Sequence, residues 1–433
     1  MKHSVRSTFV VGFALFAMFF GAGNVIFPPY LGLGCGSRWV QGFLCYFLAD
    51  IGLALMALFA VVRCGSFESL VSPLGRISSA VLMTVIVICI GPMLAIPRTA
   101  ASTFEMSVVP LMPGFSPVLF SVLFFALIAV LAAKESAVVD IVGKILTPLL
   151  LLGLLALIIR GISVPIGPVS HGSLVENVAV TGIEAGYQTM DVLGAVVFGI
   201  IVLQSVQDKG YTEKRQQRRI VAGAGLIAGI ILFAVYLGLC YLGASASILF
   251  DTSVDRTHLV TTIVYLLLGK AGTIIFAIVV ALACITTAVA LVSSAAAYFE
   301  ELSRGRLSYR WGVIIVCLFS AVVSTVGLNE IISIAAPILD VVYPPTLFLL
   351  ALSFFNRHLH RVWGYRLGAL GAAVVSILNV AAKLGAPFAF LEKLPFYENG
   401  FCWLLPAILC ALIGFLIPQT AAGKEPETLP GRG

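Results

Sequence analysis

The sequence predicts an all-α polytopic membrane protein of about 12 transmembrane helices, arranged as a five-plus-five inverted repeat with helices 1 and 6 discontinuous. Three observations carry that expectation. The first is composition. Of 433 residues, 60% are hydrophobic and 11% are charged, with a mean hydropathy of +1.08, whereas a soluble domain carries about 25% charged residues. The second is segmentation: apolar runs recur along the chain between short polar stretches, with room for spans of ~20 residues each. The third is a pair of polar, glycine-bearing interruptions in the first and sixth runs, where a lipid-facing helix would be apolar throughout.

The runs are 9–33, 39–62, 77–104, 117–133, 143–160, 185–206, 219–243, 271–298, 311–327, 330–352, 367–385 and 401–418. Residues 1–418 are expected to form one transmembrane domain, with repeats at about 9–160 and 185–352 and extra helices within 367–418. A short cytoplasmic tail, 419–433, follows. Met1-Lys2-His3 and Arg6 before an apolar run could pass for a signal peptide, but Phe27-Pro28-Pro29 stands where a cleavage site would be, and the run is read as a span. The longer segments are 161–184 and 244–270, the second with enough helical pattern over Asp255 to Leu268 for a short surface helix.

The first run contains Gly21-Ala22-Gly23-Asn24-Val25-Ile26-Phe27-Pro28-Pro29-Tyr30. Gly21 and Gly23 have poor helix propensity, Asn24 suits the start of a new helix, and Pro28 takes the helical donor away from the Asn24 carbonyl. Irregular backbone at membrane depth is tolerated where it is buried in protein or lines a wet cavity. In secondary transporters such breaks hold anionic groups on free N–H groups and cations on free carbonyls. The alternative is a Gly/Pro kink that only lets helices pack closely.

Five spans later the sixth run reads Gly182-Ile183-Glu184-Ala185-Gly186-Tyr187-Gln188-Thr189-Met190-Asp191-Val192-Leu193-Gly194-Ala195. An unpaired Asp191 in hydrocarbon costs several kcal/mol. Residues 189–195 are read as the second break, which makes spans 1–5 and 6–10 two inverted halves by position.

Orientation follows from basic residues. With a cytoplasmic N-terminus and alternating spans, nineteen lysines and arginines fall inside and six outside (Arg38, Arg160, Arg256, Lys270, Lys383, Lys393), with Arg98 in or near a span. Both termini are therefore expected to be cytoplasmic. The dense run Lys209 to Arg219 reads as a solvated cytoplasmic loop, and the net charge of +6 is explained by this bias rather than by nucleic-acid binding.

Within the membrane, Ala283, Thr286 and Thr287 share one helix face at i, i+3, i+4. Two hydroxyls and a carbonyl are hard oxygens suited to a small alkali cation. The bland reading is threonine bonding its own helix backbone. Arg98 follows Pro97, and Glu105 lies seven residues on; they are either functional intramembrane ions or interfacial side chains that snorkel. Asp340, also at mid-span, is a candidate partner for Arg98 or a gate to the cavity. Nine cysteines without metal spacing read as small hydrophobes. There is no P-loop, GxSxG or HExxH, and no histidine falls at mid-span, so no cofactor is expected and an enzyme is disfavoured.

Taken together, Gly21-Ala22-Gly23-Asn24 with Ile26-Phe27-Pro28-Pro29, Gly91-Pro92, Ala95-Ile96-Pro97-Arg98-Thr99-Ala100, Thr189-Met190-Asp191 and Thr286-Thr287-Ala288 resemble the bacterial branched-chain amino acid–cation (sodium) symporter family along essentially the whole chain. The resemblance implies sodium-coupled import of leucine, isoleucine and valine across the inner membrane by alternating access. It implies that Gly21, Ala22, Gly23 and Asn24 hold the substrate carboxylate on backbone N–H groups. Thr189, Met190, Asp191 and Gly194 would take the ammonium on backbone carbonyls, helped by Asp191. Na⁺ would lie on the carbonyls of Ala17, Phe20 and Ala283 and the hydroxyls of Thr286 and Thr287. Phe104, Phe198 and Met190 are candidates for the apolar side-chain pocket. The partners implied are branched-chain amino acids, Na⁺ and the bilayer; nothing in the sequence speaks to oligomeric state.

The nearest rival is the same fold carrying another amino acid or coupled to H⁺, which Asp191 keeps open. A membrane-embedded enzyme would need a polar cluster near the cytoplasmic face. A channel would need a continuous polar pore rather than two isolated breaks.

Overall fold

The computed structural model describes residues 2–133, 137–355 and 361–417, and among them there are helices and turns but no strand. In chain order the helices are α1 Lys2–Phe19, α2 Ala22–Cys35, α3 Trp39–Phe47, α4 Leu53–Cys64, α5 Phe67–Val71, α6 Arg76–Ile88, α7 Ala95–Thr103, α8 Pro117–Ala133, α9 Ala137–Ser163, α10 Val178–Thr189, α11 Asp191–Asp208, α12 Lys214–Ser245, α13 Arg256–Leu302, α14 Tyr309–Ser324, α15 Leu328–Ser353, α16 Val362–Lys383 and α17 Leu404–Leu416. Wide π turns join α3 to α4 at Leu48–Gly52 and α6 to α7 at Cys89–Met93, where Gly91 leaves helical geometry. A third follows α7 at Phe104–Val108. Such turns concentrate at functional sites.

Every apolar run of the sequence falls largely on helix. Among the described residues, six helical segments are long and apolar enough to cross a membrane, seven if the bent pair Val178–Gly199 and Ile201–Gln207 is one span. Shorter apolar helices such as Pro117–Ala133, Tyr309–Ser324 and Leu404–Leu416 occupy other runs. The surface helix expected near 255–268 is present: Asp255 caps the start of α13 by accepting from the N–H groups of Thr257 (2.9 Å) and His258 (3.0 Å). The helix is then broken at Gly269, where φ is 65°. Lys134, Arg357, His358, His360, Lys424, Arg432 and the tail 419–433 lie outside the described residues.

The chain divides into two compact units, Met1–Phe67 with Leu82–Leu339, and Glu68–Val81 with Asp340–Gly433. In the second, α16 and α17 approach backbone to backbone. A Cβ on Gly414 would stand 2.4 Å from the Trp363 carbonyl oxygen. Arg366 ties the segment before α6 to α16 through the Pro73 carbonyl (3.1 Å), and Asp340 accepts from Lys383 Nζ at 2.8 Å. The partner of Asp340 is thus the lysine that ends α16 rather than Arg98.

In the first unit two backbone-close helix pairs set the site. α2 lies on α12, where a Cβ at Gly32 would be 1.8 Å from the Cys240 carbonyl oxygen and one at Gly243 would be 1.8 Å from that of Pro29. α10 lies on α3 through Gly182 and Gly186, one turn apart. Added Cβ atoms there would come within 2.5 Å of Gly42 O and 2.9 Å of Tyr46 O. Small residues on one face let membrane helices approach this closely. The two breaks themselves lie side by side, joined by Asn24 Nδ2 donating to Asp191 Oδ2 at 2.7 Å.

Candidate functional site

The first break is one residue pair wide. α1 ends at Phe19, and the Gly21 N–H folds back onto Phe19 O at 2.9 Å instead of the helical acceptor Ala17 O. Gly21 is extended (φ −104°, ψ −174°) and α2 starts at Ala22, so its first N–H groups have no preceding turn to bond. Further along, Pro28 and Pro29 deprive the Asn24 and Val25 carbonyls of helical donors.

The second break is narrower than the 189–195 read from sequence. α10 ends at Thr189, Met190 adopts a left-handed conformation (φ 66°, ψ 14°), and α11 resumes at Asp191. One residue suffices because a single left-handed position ends one helix as the next begins, and an acidic first-turn residue suits the positive end of α11. Gly194 therefore lies within regular helix.

Arg98, on α7, is 5% exposed and does not snorkel. Its Nη2 donates to Thr189 O at 2.9 Å and its Nη1 to Gln188 O. The guanidinium thus caps the C-terminal carbonyls of α10, a favourable charge at the negative end of a helix. Of the two, the Thr189 carbonyl is one expected from the sequence to face a substrate ammonium. The guanidinium also stands 5.8 Å over the Phe27 ring.

Asn24, 1% exposed, joins the two breaks. Its Nδ2 reaches Phe19 O (2.5 Å), Tyr236 OH (2.5 Å) and Asp191 Oδ2 (2.7 Å). An amide nitrogen carries two protons, so these three oxygens share them. Thr189 Oγ1 lies within hydrogen-bond distance of Asp50 Oδ1, at 2.8 Å. Asp50, on the π turn between α3 and α4, is fully buried. The sequence reading passed over it, although it is the lone charged residue in run 39–62 and the rule that flags Asp191 flags it equally. Tyr236 carries no sequence signal, since a tyrosine in an apolar run is ordinary.

A cavity opens between the breaks. Gly21, Ala22, Gly23, Asn24, Thr189, Met190, Asp191 and Gly194 line it, together with Arg98, Thr99 and Thr287. Met18, Phe19, Ile90, Phe198 and Leu291 supply an apolar wall. Phe104 is not among the lining residues; its ring packs on Phe120 with centroids 5.4 Å apart. Of the five predicted cation ligands, Thr287 lines the cavity, with Cγ2 3.9 Å from where a Cβ on Gly21 would be. The hydroxyls of Thr286 and Thr287 both donate to Ala283 O, at 2.8 and 3.0 Å. That is the local bonding of the bland reading, and it occupies the Ala283 carbonyl. Each hydroxyl oxygen still keeps lone pairs for a cation. Glu105, beyond the third π turn, accepts from Thr257 Oγ1 (2.9 Å) and Leu328 N (3.0 Å), so it fastens the starts of α13 and α15 rather than pairing with Arg98.

In chemical terms the cavity presents one guanidinium, one carboxyl at a helix start, free N–H groups and an apolar wall. Among the described residues no group of histidine, cysteine and acidic side chains is placed to hold a metal ion.

Over 94% of this chain and 92% of theirs, the coordinates match the nucleobase-cation-symport-1 family transporter Mhp1 in a closed conformation with bromovinylhydantoin bound, with a TM-score of 0.63 at 16% identity. A Na⁺-coupled sialic acid symporter in a substrate-bound outward-open state matches over 95% of this chain and 90% of its own, with a TM-score of 0.59 at 15% identity. These likenesses establish a shared transporter fold. Among sequences, the branched-chain amino acid permease BraB of Bacillus subtilis (strain 168) is 35% identical, covering 96% of this chain and 97% of its own. BrnQ of Escherichia coli (strain K12), also a branched-chain amino acid permease, is 33% identical over 98% and 99%. A family profile described as Branched-chain amino acid transport protein matches residues 4–421. The chain is a multi-pass membrane transport protein rather than an enzyme, and it belongs to the branched-chain amino acid transport protein family.

Proposed function

We propose that this protein imports leucine, isoleucine and valine together with Na⁺ across the cytoplasmic membrane by alternating access. The observation that carries the reading is the cavity between the two breaks. Its polar end holds Arg98, Asp191 and the N-terminus of α2, and its other walls are apolar. A zwitterion with a branched aliphatic side chain fits that division. Its carboxylate would lie on the N–H groups of Ala22 and Gly23 within the field of Arg98. Its ammonium would face Asp191, because Arg98 already holds the Gln188 and Thr189 carbonyls. The side chain would rest on Phe198, Ile90, Leu291 and Met190. Burying a branched side chain there contributes about 1.5–3 kcal/mol.

The Na⁺ site is assigned to the seam between the first break and α13, where Thr287 stands against Gly21. The Ala17 carbonyl, left without its helical donor, and the Thr286 and Thr287 hydroxyls are the supporting oxygens; Phe20 completes the set by its place in the break. Twelve spans in two inverted halves, one domain over 1–418 and cytoplasmic termini follow from the positions of the breaks and the charge bias. Uptake of labelled leucine into proteoliposomes, with and without an inward sodium gradient, tests the reading. Accumulation that ignores sodium and follows an imposed proton gradient would favour H⁺ coupling; no accumulation of any branched-chain amino acid would overturn the substrate.

A further inference from the structure

Behind the cavity lies a second polar group that the substrate and sodium assignments leave unused: Asp50, fully buried on its π turn, with Thr189, Asp191 and Tyr46 around it. Counting protons settles its form. Thr189 Oγ1 carries one proton, yet it stands 2.6 Å from Gly186 O and 2.8 Å from Asp50 Oδ1. The shorter, in-helix bond to Gly186 takes the proton, so the contact with Asp50 Oδ1 lacks one unless Asp50 brings its own. Asp50 Oδ2 is buried with no N–H donor on it, a costly position for an ionised oxygen. Asp50 and Asp191 lie within hydrogen-bonding reach of one another. Two carboxyls that close in a low-dielectric interior cannot both ionise. A further, separate sign is the Tyr46 hydroxyl, 0% exposed and beside Asp50, whose oxygen can accept a proton held there.

The ionised member of the pair is Asp191. It accepts from Asn24 Nδ2 at 2.7 Å and sits at the positive end of α11, whereas Asp50 has only hydroxyl and carboxyl neighbours and no amide donor. The other titratable or charged groups facing the pair are Tyr46 on α3, Tyr236 on α12 and Arg98 on α7, whose guanidinium is engaged with the α10 carbonyls.

We propose that Asp50 is a proton-binding site, distinct from the cation seam on α13, that holds one proton between α3–α4 and the second break. With Asp50 neutral, the cavity faces one carboxylate and one guanidinium, a charge-balanced setting for a zwitterion. Loss of the proton sets two carboxylates against each other and drives the second break away from the π turn. The site needs no coordinated metal: one O–H bond forms at Asp50 when the proton is taken up from water, and it breaks when the proton returns there.

Infrared spectra of the purified full-length protein in lipid test this. The expected result is a protonated-carboxyl band at near-neutral pH that disappears in Asp50→Asn and persists in Asp191→Asn. A band that survives Asp50→Asn unchanged, or that Asp191→Asn removes instead, overturns the assignment. Should Asp50→Asn not yield folded protein, Tyr46→Phe keeps the test open. Removing the hydroxyl beside Asp50 shifts the band if Asp50 carries the proton, and an unmoved band overturns the proposal. As a second readout, leucine binding to the wild type should weaken as pH rises through the titration, approaching about tenfold per pH unit for one linked proton. Asp50→Asn should abolish that slope, and a wild-type slope that survives the substitution counts against the proposal. The infrared arm involves no substrate, so its failure is separate from any failure of the branched-chain reading.

Discussion

Asn24 Nδ2 donates to Asp191 Oδ2 at 2.7 Å, a direct bond from the first turn of one broken helix to the first residue that follows the other break. The pair is 167 residues apart in sequence and buried in the fold. Any rocking of the first break against the second must stretch or carry this bond. Asn24→Ala leaves the Asp191 and Tyr236 oxygens without that donor, and an unsatisfied buried polar group costs ~1–3 kcal/mol. Leucine uptake at matched expression should fall roughly 5- to 150-fold by the same figure. The double variant with Asp191→Asn should lose less than the sum of the two single losses, because both remove one interaction. Additive losses would show that the bond is not the functional tie.

Arg98 bonds two successive carbonyls with its planar fork, which lysine cannot copy. Arg98→Lys keeps the charge and loses one bond; Arg98→Gln loses the charge as well. A hydrogen bond to a charged group contributes ~1.5–3 kcal/mol, so leucine affinity should drop in the order wild type, Lys, Gln. Equilibrium binding on purified protein gives the ranking. Equal affinity in all three would mean that capping α10 has no bearing on the pocket.

For the cation, Thr287 is the informative position. Thr287→Ser retains the oxygen and should raise the half-saturating sodium concentration little. Thr287→Val retains the shape and should raise it as strongly as Thr287→Ala. Sodium titrations of leucine uptake separate the roles. If the hydroxyl serves only to bond Ala283 O, as its 3.0 Å contact allows, Val behaves like wild type and the sodium assignment falls.

Selectivity should rest on the apolar wall. A Cβ on Gly194 would stand 3.2 Å from the Phe198 ring, so Gly194→Ala must shift that ring, which lines the cavity, by a few tenths of an ångström. The change should penalise leucine and isoleucine more than valine, since one methylene in an apolar pocket is worth ~1–3 kcal/mol. Competition assays measure it. In the wild type the three should inhibit one another's uptake, and excess serine that blocks leucine as well as valine does would remove the branched-chain reading.

Topology is tested at the exposed Thr212, between α11 and α12 in the basic segment Lys209 to Arg219. With cytoplasmic termini, Thr212→Cys should resist a membrane-impermeant thiol reagent added to intact cells and react once the membrane is opened. Labelling from outside reverses the orientation.

The sequence by itself determined the class of the protein and the location of both interruptions, because these are local properties. Hydropathy is carried by each run on its own, and Gly21, Gly23 and Pro28 weaken a helix wherever it packs. Nine of the ten substrate candidates line one cavity, since residues beside a break lie along it. What only the tertiary structure decided depends on helix-to-helix distance. Gly182 and Gly186 let α10 settle onto α3, and that approach brings Asp50 to Thr189 across 139 residues of chain. No local pattern encodes such a meeting. For the same reason Arg98 met the carbonyls at the end of α10, Asp340 found Lys383, and Phe104 turned to Phe120. Periodicity shows which face a side chain is on, but the partner on that face is chosen by how closely two backbones can approach.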